Sequence, residues 1–408
     1  MAQPLVLHYL SATAGAPAIE TNLSVKRFLP RLSLMLGNFA TGVSILAPAG
    51  MLTVLADGLG VGIPDIGLLV TFGAVILCFG SPIVAWLTTR IERRTLLTVT
   101  LAVLVAAQAA SAFAPNYGTV LVLRIAMLAV AAIYTPQAAS TVAMIVPAGE
   151  RSSAIAFTFL GWSLAIAGGL PLITFIAAYA GWRAAFAASA VAAFVPCVLL
   201  AFSLPGGLRG PPLSLASFRV IARHRKILLL LLITILQTSG QFTVFIYLAP
   251  LLQRLTGVGH EVVGLFFAAY GVAGFAGNVI ATRIVSLLGG WVTSVVFLGC
   301  TFTGMLLWAL GAGFLPVMGI GVVLWGLGFA ATNSMQQARL VAAAPDLSSA
   351  SVALNTSALY TGQAIGSALG GILFSHDIVH GIGFVGVAFV GLGIAVWSVT
   401  RDREGMAR

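Results

Sequence analysis

Long uninterrupted apolar runs constrain this chain more than any other feature. A helix needs about 20 apolar residues to cross a bilayer core about 30 Å thick. The runs are continuous rather than alternating, which favours helices over a membrane-spanning barrel. Their lengths predict an all-α membrane protein with twelve transmembrane helices, at residues 32–55, 66–88, 96–114, 119–142, 152–179, 184–204, 227–252, 262–285, 291–312, 317–340, 349–374 and 381–400.

Charged residues are too scarce for a water-soluble fold. They make up 7% of the 408 residues, whereas soluble domains carry roughly 25%. The net charge of +10 is the one property that also fits a nucleic-acid partner. The basic residues are scattered and meet no aromatic platform, so we expect no nucleic acid and assign the charge to membrane orientation.

The basic residues collect in the loops on one side of the predicted spans. With the N-terminus in the cytoplasm, seventeen Lys and Arg residues fall on the cytoplasmic side and two, Arg183 and Arg254, on the outer side. Excess Lys and Arg mark cytoplasmic loops. The sequence therefore predicts a multi-pass protein of a cell membrane, in the simplest case a bacterial inner membrane, with both termini in the cytoplasm.

The two halves of the chain repeat each other. The segment 80–97 ends one apolar run, crosses a short arginine-rich turn and begins the next run, and a diluted copy at 277–290 matches it at a single offset. Leu46-Ala47-Pro48 in the first span likewise matches Leu248-Ala249-Pro250 in the seventh. Two parallel six-span repeats with a site at their interface are typical of secondary transporters.

The repeat also predicts the domain boundaries. Two six-helix bundles, 31–204 and 227–400, are joined by a cytoplasmic linker at 205–226 and flanked by cytoplasmic tails at 1–30 and 401–408. Residues 213–226 combine near-helical apolar spacing with a basic face. That pattern fits a helix lying on the inner membrane surface.

These features resemble the major facilitator superfamily, and within it the twelve-span drug:proton antiporters of the arabinose-efflux-permease type, over residues 30–400. The family's loop between spans two and three, Gly-x-Leu-Ala-Asp-Arg-x-Gly-Arg-Arg, is similar to residues 85–94. Arg124 matches the arginine of the family's fourth-span motif. Gly161, Gly168, Gly169 and Pro171 resemble its Gly/Pro-rich antiporter motif in span five.

The resemblance implies two pseudo-symmetric six-helix bundles, a monomer, and alternating access. It implies export of a small organic solute, drug-like or sugar-like, by proton antiport. In the family, an Asp in the loop between spans two and three helps to latch the halves together on the inner side. Thr89 stands at that position and lacks the charge, so we predict a weakened latch from the gating loop, which comprises Thr89, Arg90, Glu92, Arg93 and Arg94.

Acidic residues and histidines avoid the middle of every predicted span. A proton-coupled transporter usually needs a titratable group within the membrane. The sequence therefore leaves open proton antiport, a facilitator of a neutral metabolite without proton coupling, and a membrane sensor that does not transport. An embedded enzyme would need acids or histidines clustered at one face, so we predict no enzyme, no cofactor and no metal.

Polar side chains cluster on the spans that the resemblance places around a central cavity. A buried amide must be hydrogen-bonded to a neighbouring helix, to water or to a ligand. Interhelical bonding is the alternative for each amide taken alone. We predict a substrate site for a neutral or weakly polar solute from Asn38, Gln137, Gln241, Tyr247, Asn333, Gln337 and Asn355.

Arg124, prolines and small residues complete the predictions. Arg124 is either a proton-relay or substrate contact, or a structural arginine bonded to backbone carbonyls of neighbouring helices. Pro48, Pro136, Pro171 and Pro250 should permit kinks because they remove backbone hydrogen bonds. Close helix packing is predicted at Gly161, Gly168, Pro171, Gly362, Gly366 and Gly370.

Overall fold

The structure, a computed structural model, describes residues 16–88, 90–147, 150–209, 220–221, 223–344 and 348–400. Its described regular elements are all helical. They are α1 (Ala16–Gly50), α2 (Leu52–Leu59), α3 (Ile63–Leu87), α4 (Arg93–Ala112), α5 (Tyr117–Ala131), α6 (Tyr134–Ile145), α7 (Arg151–Leu164), a π-turn (Ala165–Gly169), α8 (Leu170–Ser203), α9 (Arg225–Phe245), α10 (Leu248–Thr256), α11 (His260–Leu310), α12 (Leu315–Ala343), α13 (Ser348–Ser375) and α14 (Val379–Ser398).

These helices make twelve spans within the described residues. Nine stretches are long and apolar enough to cross a membrane, and two of them, Ser153–Ser203 and His260–Leu310, have 51 residues each. One crossing needs about 20, and each long stretch is broken inside by a glycine at positive φ, Gly181 at 81° and Gly289 at 74°. Each is therefore a pair of spans, and α13 supplies the twelfth. The predicted all-α, twelve-helix fold is confirmed.

We number the spans 1 to 12 along the chain. Span 1 comprises α1 and α2, span 4 comprises α5 and α6, and span 7 comprises α9 and α10. Span 5 runs through α7 and the π-turn to Gly181, and span 6 follows it. Gly289 separates span 8 from span 9 in the same way. The predicted interfacial helix at 213–226 lies largely outside the described residues.

Four spans are interrupted close to a proline. Proline lacks the backbone N–H and its ring clashes with the carbonyl four residues earlier. Pro136, Pro171 and Pro250 each follow an interruption within one helical turn, namely the α5–α6 break, the π-turn and the α9–α10 break. Pro48 lies inside α1, just before the break at Met51. Spans 1, 4, 5 and 7 are therefore bent, as their prolines predict.

The two six-span halves meet along two seams. The first seam is formed by span 2 against span 11, and the second by span 5 against span 8. Within each half, equivalent spans pack together: span 5 against span 1, and span 11 against span 7. The sequence duplication is therefore also a structural one.

Glycines allow the close approach of these equivalent pairs. A Cβ atom on Gly161 of span 5 would overlap the carbonyl oxygen of Met35 in span 1. A Cβ atom on Gly362 of span 11 would lie 2.5 Å from the carbonyl oxygen of Ile235 in span 7. Gly366 and Gly370 continue the same contact along span 11.

Gly168 and Pro171 differ from these packing glycines. A Cβ atom on Gly168 would meet nothing within 4 Å, so the predicted packing role for this residue is wrong. Pro171 instead faces the second seam, where its ring lies 3.9 Å from the position of a Cβ atom on Gly264 in span 8.

The bundle has two ends that differ in charge. Arg31, Arg90, Arg94, Arg151 and Arg225 lie at one end, which we call the arginine-rich face. The other end, the opposite face, carries the turns at 60–62, 113–116, 257–259, 311–314 and 376–378.

The halves are joined at the middle of the bundle and toward the opposite face. Along the first seam, the Thr71 hydroxyl donates to the Ser367 hydroxyl at 2.9 Å, and Cys78 Sγ lies 3.0 Å from Thr361 Oγ1. Every residue of 40–52 in span 1 and of 237–252 in span 7 is buried. The described part of the protein is therefore closed at the opposite face.

Spans 1 and 7 become accessible on one side near the arginine-rich face. Leu32 and Leu36 of span 1 are half-buried, and Leu228 and Leu232 near the start of span 7 are exposed. Spans 1 and 7 are therefore less covered toward the arginine-rich face than toward the opposite face, and we call this uncovered region the opening.

Candidate functional site

Spans 1 and 7 form the centre around which a site is built. Their apolar stretches are 83% and 72% buried, more than any of the other candidate spans in the described residues. A helix that is apolar all round and buried belongs to the centre of a bundle rather than to its lipid-facing rim. Polar side chains on these two spans therefore lie between helices.

Asn38 of span 1 is held in a hydrogen-bond network inside the N-terminal half. Its amide nitrogen donates to the Thr158 carbonyl of span 5 at 2.9 Å. Its carbonyl oxygen accepts from the Thr135 hydroxyl of span 4 at 2.9 Å. Thr135 in turn accepts from Trp162 Nε1 at 3.0 Å. Asn38 is fully buried, so its polar atoms bind three spans together rather than facing the opening.

Asn355 of span 11 occupies the equivalent place in the C-terminal half. Its carbonyl oxygen accepts from the Thr234 hydroxyl of span 7 at 2.8 Å. By the offset that relates residues 80 and 277, Asn355 corresponds to Thr158, and Thr234 lies on span 7, the counterpart of span 1. The same helix pair is thus bridged in both halves, with the amide on opposite members. Asn355 is also buried, and in this conformation its amide oxygen makes the interhelical bond that was the alternative to a substrate contact.

Gln241 and Tyr247 lie deeper in span 7. The Gln241 amide donates to the Tyr270 hydroxyl of span 8. The Tyr247 hydroxyl donates to the Ser367 carbonyl at 3.2 Å, and the same hydroxyl fills the space beside Gly67 across the first seam. Both side chains are buried. Tyr247 therefore closes the first seam in this conformation.

Three predicted side chains remain closest to the opening. Asn333 and Gln337 of span 10 are half-buried, and Asn333 Oδ1 has no hydrogen-bond partner. Gln137 of span 4 is 6% exposed. Gln137 belongs to the N-terminal half, and Asn333 and Gln337 belong to the C-terminal half.

Gln237 of span 7 was not selected from the sequence, although its position marks it. It lies four residues before Gln241 and so shares its helix face. It is fully buried, and neither amide atom has a hydrogen-bond partner. Gln241 Oε1 and Gln336 Nε2 are unpaired as well. The C-terminal half therefore holds unused donors and acceptors at its centre.

Arg124 bridges three spans of the N-terminal half. Its Nε donates to the Leu69 carbonyl at 3.1 Å, and its Nη1 donates to the Ser44 carbonyl at 3.1 Å. Its Nη2 donates to the Ile45 carbonyl. The Ser44 carbonyl is free to accept from Arg124 because Pro48, four residues later, has no backbone N–H to donate to it. These bonds to backbone carbonyls of neighbouring helices are the ones expected if Arg124 is a structural arginine.

Two further arginines are buried in addition to Arg124. Arg93 begins α4 and is 4% exposed. Arg339 lies inside α12 and donates to the Thr400 hydroxyl at 2.6 Å and to Gln336 Oε1 at 3.1 Å. The sequence placed both at the ends of spans, where arginines are usually solvated, so burial was not evident.

Glu92 of the gating loop caps the start of α4. Its carboxylate accepts from the Gly207 backbone N–H at 2.5 Å and from the Thr95 hydroxyl at 3.1 Å. These bonds, first that of Gly207, together with the charges of Arg94 and Arg209, hold the pKa of Glu92 below its ordinary value. Glu92 thus ties the loop to the segment that follows span 6. Thr89 lies outside the described residues.

Glu261 is distinctive among the acids whose contacts the structure describes. Glu150 and Asp377 form ion pairs within their own halves, at 2.6 and 2.7 Å. Glu92 and Asp65 accept from backbone N–H groups of the N-terminal half. Glu261, at the start of span 8, instead accepts from the Tyr179 hydroxyl of span 5 and so bridges the two halves.

Known proteins are similar to this chain both in sequence and in fold. A family model described as Major Facilitator Superfamily matches residues 33–370. An uncharacterized MFS-type transporter, YtbD of Bacillus subtilis (strain 168), is 30% identical, with 91% of this chain and 96% of the relative covered. The inner membrane transport protein YdhP of Escherichia coli (strain K12) is 29% identical, with 90% and 93% covered.

A further relative and a solved structure extend the comparison. A probable sugar efflux transporter of Mannheimia succiniciproducens is 27% identical, with 88% of this chain and 90% of the relative covered. The crystal structure of a D-xylose-proton symporter superimposes with a TM-score of 0.71 at 16% identity, covering 89% of this chain and 97% of the other. At that identity the match concerns the fold.

Proposed function

Since the chain belongs to the Major Facilitator Superfamily, we propose that it is a secondary active transporter that moves a small organic solute by alternating access. One observation carries the proposal. The duplicated halves are bonded together toward the opposite face, whereas spans 1 and 7 are less covered toward the arginine-rich face. A site between two such halves is reached from one side at a time, which is the requirement for alternating access.

The direction we propose is export from the cytoplasm. The excess of Lys and Arg supports a cytoplasmic arginine-rich face. The opening toward that face would then receive solute from inside the cell. A relative described as a probable sugar efflux transporter, 27% identical, supports the same direction.

The proposed substrate contacts are a revised set. Gln137, Asn333 and Gln337 lie nearest the opening, and Gln237 and Gln241 carry unpaired amide atoms deeper in the C-terminal half. Amides offer both donors and acceptors without charge. The set therefore suits a neutral solute with several hydroxyl or carbonyl groups, which includes sugar-like molecules, better than an ionised one.

A facilitator without proton coupling is the second candidate. The acids whose contacts are described lie in loops or at span ends, so none of them supplies a buried proton site at the middle of the bundle. A uniporter of a neutral metabolite needs no such site. This observation favours a facilitator over an antiporter, whereas the resemblance favours the antiporter.

Reconstituted protein distinguishes the candidates. Proteoliposomes are loaded with radiolabelled hexoses and pentoses, one at a time, and efflux is followed with and without an imposed pH gradient. Proton antiport predicts efflux that falls when the gradient is collapsed, and a facilitator predicts efflux that is unchanged. Binding without movement of any solute identifies a sensor and contradicts the proposal. Gln337→Ala, which should weaken transport, and Gly168→Ala, which should not, provide matched variants.

A further inference from the structure

The second seam is packed unevenly along its length. Near the middle of the bundle, a Cβ atom on Gly271 of span 8 would overlap the backbone of Ala167 in span 5. Toward the opposite face the spans separate and leave a cavity of about 360 Å³. Its lining includes Pro171, Phe175, Gly264 and Leu265. The first seam, by contrast, is filled at this level by buried Tyr247 and Ser367.

One hydrogen bond bridges the seam where packing is loose. Tyr179 and Glu261 stand at the rim of the cavity and join span 5 to span 8. The Tyr179 ring is fixed by Phe175, with ring centroids 4.6 Å apart. Both members of the pair are exposed, so solvent on the opposite side reaches the carboxylate directly.

We propose that Tyr179 and Glu261 form the gate of the opposite face, and that protonation of Glu261 from that side releases it. The proposal rests on the proposed alternating-access function, because a gate has a role only if this face opens. The two residues act as positioning residues. They hold the loosely packed part of the second seam shut while the arginine-rich face is open.

The chemistry is a change in the strength of one hydrogen bond. The ionised Glu261 carboxylate accepts the Tyr179 O–H, and hydrogen bonds to a charged acceptor are roughly twice as strong as neutral ones. A proton from the solvent on the opposite side neutralises Glu261 and weakens the bond. The same proton returns to that side when Glu261 ionises and the gate recloses, so no proton is carried across.

Few other titratable groups face the pair. His260 precedes Glu261 and its ring nitrogen lies 3.2 Å from Gln253 Nε2 of α10. Arg254 of α10 is engaged with Asp377 at 2.7 Å. That ion pair lies at the same face but within the C-terminal half, so it supplies a matched control for loss of charge.

Distances between spin labels test the gate without any transported solute. Labels at Val61→Cys and Val258→Cys, one in each half at the opposite face, are introduced after replacement of Cys78, Cys197 and Cys300. Pulsed electron resonance in nanodiscs then gives the ratio of closed to open conformers. We expect Tyr179→Phe and Glu261→Gln each to lower that ratio about two- to fivefold, the range for an exposed charged pair.

Controls make the outcome specific to the pair. Asp377→Asn should leave the ratio unchanged, and the Tyr179→Phe/Glu261→Gln double variant should lower it no further than either single change, because both remove the same bond. Lowering the pH should open the wild type but not Glu261→Gln, while His260→Gln should retain the pH response. Additive effects, an equal shift in Asp377→Asn, or a pH response that survives Glu261→Gln would overturn the proposal. None of these readings depends on whether a solute is exported.

Discussion

Arg124 and Asn38 are both polar residues inside apolar spans, and both bond to backbone carbonyls of neighbouring spans. Gln237, equally polar and equally buried, has no partner for either amide atom. A buried polar group without a partner is destabilising. The paired residues therefore stabilise the conformation that is open at the arginine-rich face. A solute or a rearrangement that donates to or accepts from the Gln237 amide would remove the cost of leaving it unpaired.

Replacement of Arg124 should lower stability more than it alters coupling. Arg124→Lys keeps the charge but loses the planar fork that reaches carbonyls on two neighbouring spans. Hydrogen bonds made by a charged group contribute about 1.5–3 kcal/mol each, so we expect a loss of that order in the free energy of unfolding. The melting temperature of purified Arg124→Lys and Arg124→Gln measures it. Unchanged melting with abolished transport would instead assign Arg124 to the transport step.

The lowered pKa of Glu92 predicts a pH dependence with a definite sign. Because the folded-state pKa lies below the ordinary 4.5, the stabilisation is fully present above pH 4.5 and is lost as the pH falls through the lower folded value. Glu92→Gln should therefore melt below the wild type at neutral pH. The difference should shrink only below pH 4.5. A constant difference down to pH 3 would contradict the assigned bonds.

At the scale of elements, glycines set how closely equivalent spans approach. Span 11 lies on span 7 through Gly362, Gly366 and Gly370, and span 5 lies on span 1 through Gly161. Helices in a membrane associate through such close packing because lipid supplies no hydrophobic driving force between them. The packing in turn aligns the polar bridges, since Thr234 reaches Asn355 between these same two spans.

Two alanine substitutions should separate packing glycines from the others. A Cβ atom on Gly366 would overlap the Ser239 carbonyl, whereas one on Gly168 would meet nothing within 4 Å. Overpacking costs about 1–3 kcal/mol, so Gly366→Ala should lower the free energy of unfolding by that amount. Gly168→Ala should leave it unchanged or raise it slightly. Equal effects of both changes in thermal unfolding would show that this contact does not determine stability.

At the scale of the whole molecule, the two halves are bonded at the opposite face and uncovered at the arginine-rich face. The first seam is closed by neutral, buried groups such as Ser367, and the second ends in an exposed pair that contains a carboxylate. Protons from the solvent can therefore change the bonding at the second seam but not at the first. Opening toward the opposite face is expected to begin at the second seam.

Introduced cysteines should be accessible near the arginine-rich face and protected toward the opposite face. In a cysteine-free background, Leu32→Cys and Leu228→Cys should react rapidly with a membrane-impermeant maleimide added at the arginine-rich face, because these positions are half-buried or exposed. Val43→Cys and Val244→Cys should be protected, since both positions are buried. Labelling in inverted and right-side-out vesicles also reports the orientation. Equal reactivity of all four positions would contradict a closed opposite face.

The amino-acid sequence by itself determined the twelve spans and the duplication, although α1 begins at Ala16, well before the predicted start of the first span at residue 32. The length of an apolar segment is a local property, and the bilayer thickness sets how long that segment must be to cross. A repeat is detected by comparing the chain with itself. The broken spans were also evident, since Pro136 and Pro250 impose local backbone geometry. A family of related chains was recognisable for the same reasons.

Only the tertiary structure decided which polar groups are paired. Asn38, Asn355 and Gln237 are alike in sequence context, yet the first two are bridged and the third is not. The partners lie on distant segments, and hydrogen bonds depend on distances of a few tenths of an ångström. For the same reason, the sequence gives no sign that Glu261 differs from other acidic residues in loops, whereas the fold places it against Tyr179 of the other half.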